Sequence, residues 1–253
     1  IYTHWSWMEL SRGYYQYPVP WGFGEVIVAY DMAKRAVRWR HSERSPVDSR
    51  SMVIGDDALY FLAPQAHVRC LAKDSGASLW VNEDLEVRDL IGELGRGLRS
   101  TPGFRTSCRS LYTPGVLLFE AQTHANVVAL SAEDGRLLWH RRKTTSNPNL
   151  MYADERVYAG IGPDGSTLAL DPHTGETIED LDFAKRSCAR LTATPDSLFC
   201  RGRDEGLMRY DRAEKRIFYN EAVRPACNDG IIGANGLLYV TPWLCDCNLQ
   251  LMG

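Results

Sequence analysis

Short apolar runs alternate with polar turns along most of the chain. The segment Val127-Val-Ala-Leu-Ser-Ala-Glu-Asp-Gly-Arg-Leu-Leu-Trp139 shows the pattern best: an apolar strand, a turn closing on Asp134-Gly135, then a second strand ending in tryptophan. Asp-Gly between two apolar runs signals a hairpin, because glycine accepts positive φ without a Cβ clash. The pattern returns as Leu71 to Trp80 around Ser75-Gly76 and as Leu170 into Ile178 around Thr174-Gly175. It returns twice more, as Tyr30-Asp31 leading to Trp39 and Tyr210-Asp211 leading to Ile217-Phe-Tyr219.

The first-strand anchors Tyr30, Leu71, Leu130, Leu170 and Tyr210 lie 41, 59, 40 and 40 residues apart. After each hairpin a polar segment leads to a further apolar strand, at 57–62, 115–119, 155–159, 196–200 and 235–240. The aromatics of those strands, Tyr60, Phe119, Tyr158, Phe199 and Tyr239, recur at 59, 39, 41 and 40. Two independent anchors share one period. A repeat of about 40 residues built from about four short strands predicts β-propeller blades. Helical repeats would need long 3.6-periodic stripes, and none is present. The expected fold is all-β: four-stranded antiparallel blades, about five repeats in this chain, within a ring of seven or eight.

The long interval holds an insertion of about 19 residues, within 82–103. Its apolar residues 87, 90, 91 and 94 are spaced as on a helix. The helix is read as a covering element, with a lid or partner-binding role as the sharper alternative. Residues 1–24, rich in Trp, Tyr and Pro, form an irregular lead-in; repeats fill 25–242; a cysteine-containing tail occupies 243–253.

A net charge of -3 leaves no footprint for nucleic acid, where a basic excess is expected. No apolar run reaches the roughly 20 residues that span a bilayer as a helix. The chain opens on Ile1, so it is read as a processed product or a piece of a longer polypeptide. Seven cysteines lean towards an oxidising compartment, which makes the expected location periplasmic or otherwise exported.

The motif Ala-Leu-(Ser/Asp)-x-x-(Asp/Thr)-Gly-x-x-(Leu/Ile)-Trp resembles the quinoprotein-type, PQQ-binding-like β-propeller repeat. In that family the terminal Trp docks one blade on the next. Trp39, Trp80 and Trp139 match, while Glu179 and Tyr219 stand in the last two repeats. The stretches 185–194, 223–230 and 242–251 are similar to the planctomycete-type bacterial subgroup, whose members are generally exported. The quinone enzymes of the superfamily carry an adjacent cysteine pair. Here only Cys245-Asp-Cys247 comes near it, and no Cys-x-x-Cys-His motif exists. The resemblance therefore implies the fold, and pyrroloquinoline quinone has no residue-by-residue support.

One slot of the repeat collects cysteines. Cys108 and Cys188 lie 11 residues before Phe119 and Phe199, and Cys227 lies 12 before Tyr239; Ser49 and Asn147 fill the slot elsewhere. Such positions should fall in loops on one face. Arg50, Arg105, Arg109, Arg186, Arg190 and Arg224 cluster with them. For Cys188, Cys227, Cys245 and Cys247 three readings stay open: disulfides, a thiolate metal site, or isolated thiols. Cys70 and Cys200 read as core residues within strands, and His67 and His124 as loop residues. The arginines are either a solvated face or an electropositive site for a carboxylate, sulfate or phosphate. The expected function is a non-catalytic exported scaffold that binds a protein, another part of a longer polypeptide or a ligand over this Cys/Arg-rich face. The alternative is a redox protein or quinoprotein-like oxidoreductase using a metal or quinone.

Overall fold

The computed structural model describes residues 23–92, 108–121, 126–145, 150–160, 165–186, 190–202, 206–225 and 231–240. The described chain is built from short antiparallel strands and divides into two compact units, one carrying 13–141 and the other mainly 142–253.

In the first unit β1 (Phe23–Asp31) and β2 (Ala36–Asp48) pair as a hairpin. A four-stranded sheet follows in the order β3 (Val53–Ile54), β4 (Ala58–Ala63), β5 (His67–Ala72) and β6 (Ser78–Asn82). A second consists of β7 (Arg109–Thr113), β8 (Val116–Glu120), β9 (Val127–Ser131) and β10 (Leu137–Arg141). The other unit repeats the arrangement. It has β11 (Leu150–Ala153), β12 (Arg156–Gly160), β13 (Thr167–Leu170) and β14 (Thr177–Leu181), then β15 (Thr192–Ala193), β16 (Ser197–Arg201), β17 (Leu207–Asp211) and β18 (Arg216–Asn220). A two-stranded sheet, β19 (Ile231–Ala234) with β20 (Leu237–Val240), completes it. These are the four-stranded antiparallel blades expected from the repeat. The middle strands β4, β8, β9 and β13 are buried throughout, whereas β6 and β18 alternate between partial cover and exposure.

The inserted helix is α1 (Leu85–Gly92), and it buries Val87, Leu90 and Ile91. Asp84 caps it, its carboxylate accepting from the Glu86 N–H at 2.9 Å. The buried face joins a core of Tyr60, Leu62, Cys70, Leu117, Phe119 and Leu130. Residue 94 and the rest of the insertion lie outside the described residues.

Blade docking follows a repeated geometry within the first unit. The Trp39 indole N–H donates to the Lys73 carbonyl at 2.9 Å, and Trp80 donates to Ala132 at 3.0 Å, the equivalent position one repeat on. Each indole lies on a turn glycine of the next sheet, Gly76 (φ 71°) or Gly135 (φ 77°). A Cβ there would come within 2.6 Å of the ring. Trp139 holds the same register place, opposite Ala129, as Trp39 opposite Ala29 and Trp80 opposite Cys70. In the second unit Glu179 takes the tryptophan position. Its carboxylate accepts from Lys215 at 2.9 Å and Arg156 at 3.2 Å. Lys215 occupies the glycine position of its turn, at φ 50°. An indole–glycine dock has become a carboxylate–ammonium dock, with both partners exchanged.

Candidate functional site

Residues 39, 41 and 43 of β2 share one face, because strand side chains alternate with period two. Trp39 seats the strand on the following sheet, His41 then reaches the Phe61 ring (centroids 6.4 Å apart), and Glu43 arrives beside β5. There β5 presents His67 and Arg69, again two residues apart. The Glu43 side chain is only 4% exposed, and three cationic or potentially cationic groups enclose it. His41 Nε2 lies 2.8 Å from Oε1, Arg69 Nε 2.6 Å from Oε1, and His67 Nε2 3.1 Å from Oε2. The first is an aligned hydrogen bond. The other two are close electrostatic approaches, since neither nitrogen lies on a hydrogen-bond line. Arg69 also donates to the Ser78 hydroxyl at 2.8 Å, which fixes the guanidinium plane.

Burial pushes the His67 imidazole below its ordinary pKa; Glu43 opposes the shift and Arg69 adds to it. The neutral ring is therefore favoured although a carboxylate adjoins it. The cluster forms the floor of a polar cleft of about 740 Å³, bordered by Arg44, Ser45, Gln65, Glu83 and Arg88.

This quartet breaks the repeat. At the Arg69 position the other first strands carry Val28, Val128, Leu168 and Met208, and at the Glu43 position the other repeats carry Asp84, Lys143, Phe183 and Val223. At the Arg69 position the repeat calls for an apolar residue, and a guanidinium paired there with a buried carboxylate is a local conflict of the kind that marks functional positions. Sequence reasoning missed it and placed His67 in a loop. His67 instead opens β5 and is buried, because the strand starts one residue before its apolar Val68. Comparing polar residues at i and i+2 between equivalent strands would have exposed it.

The arginine set disperses. Arg50 is committed to Asp48, whose fully buried carboxylate lies 2.9 Å from Arg50 Nε and also caps the short turn at 49–51. Burial raises the Asp48 pKa against the pull of Arg50 and the more distant Arg109. Arg109 and Arg186 are half-buried, Arg190 is exposed, and Arg224 is buried. Cys108 lies just before β7, outside any strand, and is fully covered in the core with Val87 and Ile91. Its thiol is pushed well up, by burial first and then by Asp48. Cys70 and Cys200 are buried core thiols, as expected. Sequence gave no sign of Lys185, buried beside Cys200 with its ammonium donating to the Arg186 carbonyl at 3.1 Å. Arg105, His124, Cys188, Cys227, Cys245 and Cys247 lie outside the described residues.

The PQQ_2 family model, described as "Outer membrane protein assembly factor BamB", matches residues 123–229. The chain carries PQQ-like β-propeller repeats. A crystal structure of BamB from Moraxella catarrhalis superposes with a TM-score of 0.54 at 17% identity, over 78% of this chain and 56% of that one. A computationally designed protein, Ika8, superposes at 0.53 with 14% identity, over 78% of this chain and 59% of the designed one. At these identities the likeness is one of fold, and the chain spans somewhat over half the length of each structure. No functionally curated protein matches the chain in sequence. Among the described residues of these PQQ-like repeats, no group of three or more His, Cys, Asp or Glu side chains could hold a metal ion. No helix among them is long and apolar enough to cross a membrane. The three described thiols are separate, buried and held protonated, so they do not fit the paired-cysteine environment of a quinone site.

Proposed function

We propose that this chain is an exported, non-catalytic β-propeller scaffold that holds a partner polypeptide, and that the polar cleft between β2 and β5 is where it does so. The observation that carries this reading is the ionic quartet His41–Glu43–His67–Arg69, buried in an inter-blade contact and built around Arg69, whose position is apolar in every other first strand. A folded domain accepts such desolvation where the group has a task beyond packing. The match to a family model described as an assembly factor agrees with a scaffold role. The finer assignment to the arginine and cysteine set has less support, because Arg50 is tied to Asp48 and Arg224 is buried.

Photocrosslinking tests it. A benzophenone amino acid placed at Ser45 or Gln65, on the cleft rim, should give one discrete protein adduct in the cells that make the chain. The same group at exposed Glu155 should give none. An adduct only from position 190 would move the binding face to the arginine set. Stoichiometric metal or quinone in the purified protein, found by elemental analysis and absorption spectroscopy, would overturn the non-catalytic reading.

A further inference from the structure

We propose that the cleft takes a carboxylate, supplied by an acidic side chain of the partner polypeptide, on the guanidinium groups of Arg44 and Arg88. Only the source of the carboxylate rests on the scaffold reading; the site itself rests on how charge is distributed around the cleft.

Five formal charges border it: Arg44, Arg69 and Arg88 against Glu43 and Glu83. Glu43 is spent internally, with both oxygens facing Arg69 and the two imidazoles. Arg69 is spent on Glu43 and Ser78. What remains for a ligand is two guanidiniums and one carboxylate. Neither Arg44 nor Arg88 has a side-chain ion pair or hydrogen bond among the described residues. The Arg88 Nε is buried as well as unpartnered. A buried N–H without an acceptor is unfavourable, and an incoming carboxylate restores the missing bond in the bidentate geometry that guanidinium prefers. α1 fixes Arg88, because Val87, Leu90 and Ile91 anchor the helix in the core. Glu83 sets selectivity: its negative charge tolerates a monoanion between the two arginines better than a phosphate dianion. The volume of about 740 Å³ suits a short peptide segment better than a single small ion.

Fluorescence anisotropy with fluorescein-labelled hexaglutamate, and hexaglutamine as its neutral counterpart, tests the site at low ionic strength. Hexaglutamate should bind, weaken as salt is added, and exceed hexaglutamine by at least about tenfold. Arg44→Ala and Arg88→Ala should each weaken binding on the order of tenfold, with unfolding midpoints close to the parent, while Arg190→Ala leaves binding unchanged. Acetate should compete better than inorganic phosphate at equal concentration. Equal binding of hexaglutamine, or unchanged affinity in both cleft variants, overturns the proposal, and stronger competition by phosphate overturns the carboxylate assignment. Hexaglutamate binding without a rim crosslink would refute the scaffold reading alone. A rim crosslink without hexaglutamate binding would refute the carboxylate site alone.

Discussion

Replacing Gly76 by alanine should be among the most damaging small substitutions in the first unit. Two costs add. The residue sits at φ 71°, where a Cβ costs about 1–2 kcal/mol. The new methyl would also lie 2.6 Å from Trp39 Cε3. The indole has little room to withdraw, because its N–H is held by the Lys73 carbonyl at 2.9 Å, so overpacking adds about 1–3 kcal/mol. The expected loss is about 2–5 kcal/mol, and Gly135→Ala should behave alike against Trp80. Gly236 separates the two costs: its φ is 74° but nothing lies within 4 Å of an added Cβ, so Gly236→Ala should lose only about 1–2 kcal/mol. Equilibrium urea unfolding, followed by tryptophan fluorescence and circular dichroism, measures all three. In a Trp39→Ala background the steric part disappears, so the double-mutant cycle should show coupling of about 1–3 kcal/mol. Equal losses for Gly76→Ala and Gly236→Ala, or an additive cycle, would refute the docking account.

The carboxylate–ammonium dock is partly exposed, so Glu179→Lys or Lys215→Glu alone should lower the urea midpoint only slightly, and the double exchange should recover only the Lys215 part, because Arg156 still faces position 179. His67 has its folded-state pKa depressed, so the unfolded chain binds more protons just below about 6.5. Stability of the parent should therefore be complete above that value and fall on acidification, and His67→Asn should flatten the urea midpoint between pH 5 and 7. His41, Glu43, Arg69 and Glu83 face the ring, and a slope unaltered by His67→Asn would refute the assignment to His67. Iodoacetamide at pH 8 should leave Cys70, Cys108 and Cys200 unlabelled until urea is added, since burial lifts Cys70 to about 11, Cys200 to about 12 and Cys108 well above its usual range. Non-reducing peptide mapping of the purified protein should find at least one disulfide among Cys188, Cys227, Cys245 and Cys247; four alkylated thiols with no bound metal would count against that cluster.

The strands were legible because their signal is local. A period of two, a turn glycine and a terminal aromatic sit within about 12 residues, and β5–β6 and β9–β10 fall where Leu71–Trp80 and Leu130–Trp139 place them. The helix was legible for the same reason: Val87, Leu90 and Ile91 carry its spacing and its buried face. The cleft was not. His41 and Glu43 meet His67 and Arg69 across two sheets, at a distance set by how Trp39 seats β2, and no local pattern encodes that seating. Nor was the cover over Cys108: among the described residues α1, between β6 and β7, brings Val87 and Ile91 onto the thiol, and the repeat does not encode that insertion.

The exchange of Trp–Gly for Glu–Lys has a consequence for how such a chain can be rearranged. Each sheet offers a donor side chain at its outer strand and a receiving place in its turn, and the two must agree across a junction. A glycine turn admits a flat ring; a turn bearing a long cation fills that space and asks for an acid. Sheets are therefore not interchangeable beads. A duplicated repeat could be spliced in only beside neighbours of the same kind, and moving the β15–β18 sheet behind β6 would set the Trp80 ring on the Lys215 side chain. Arg35, at φ 50° in the turn between β1 and β2, places that hairpin in the second class. The order of blades is thus written into pairs of residues 36 to 55 positions apart, and recombination that ignores them would break the seam before it disturbed any single sheet.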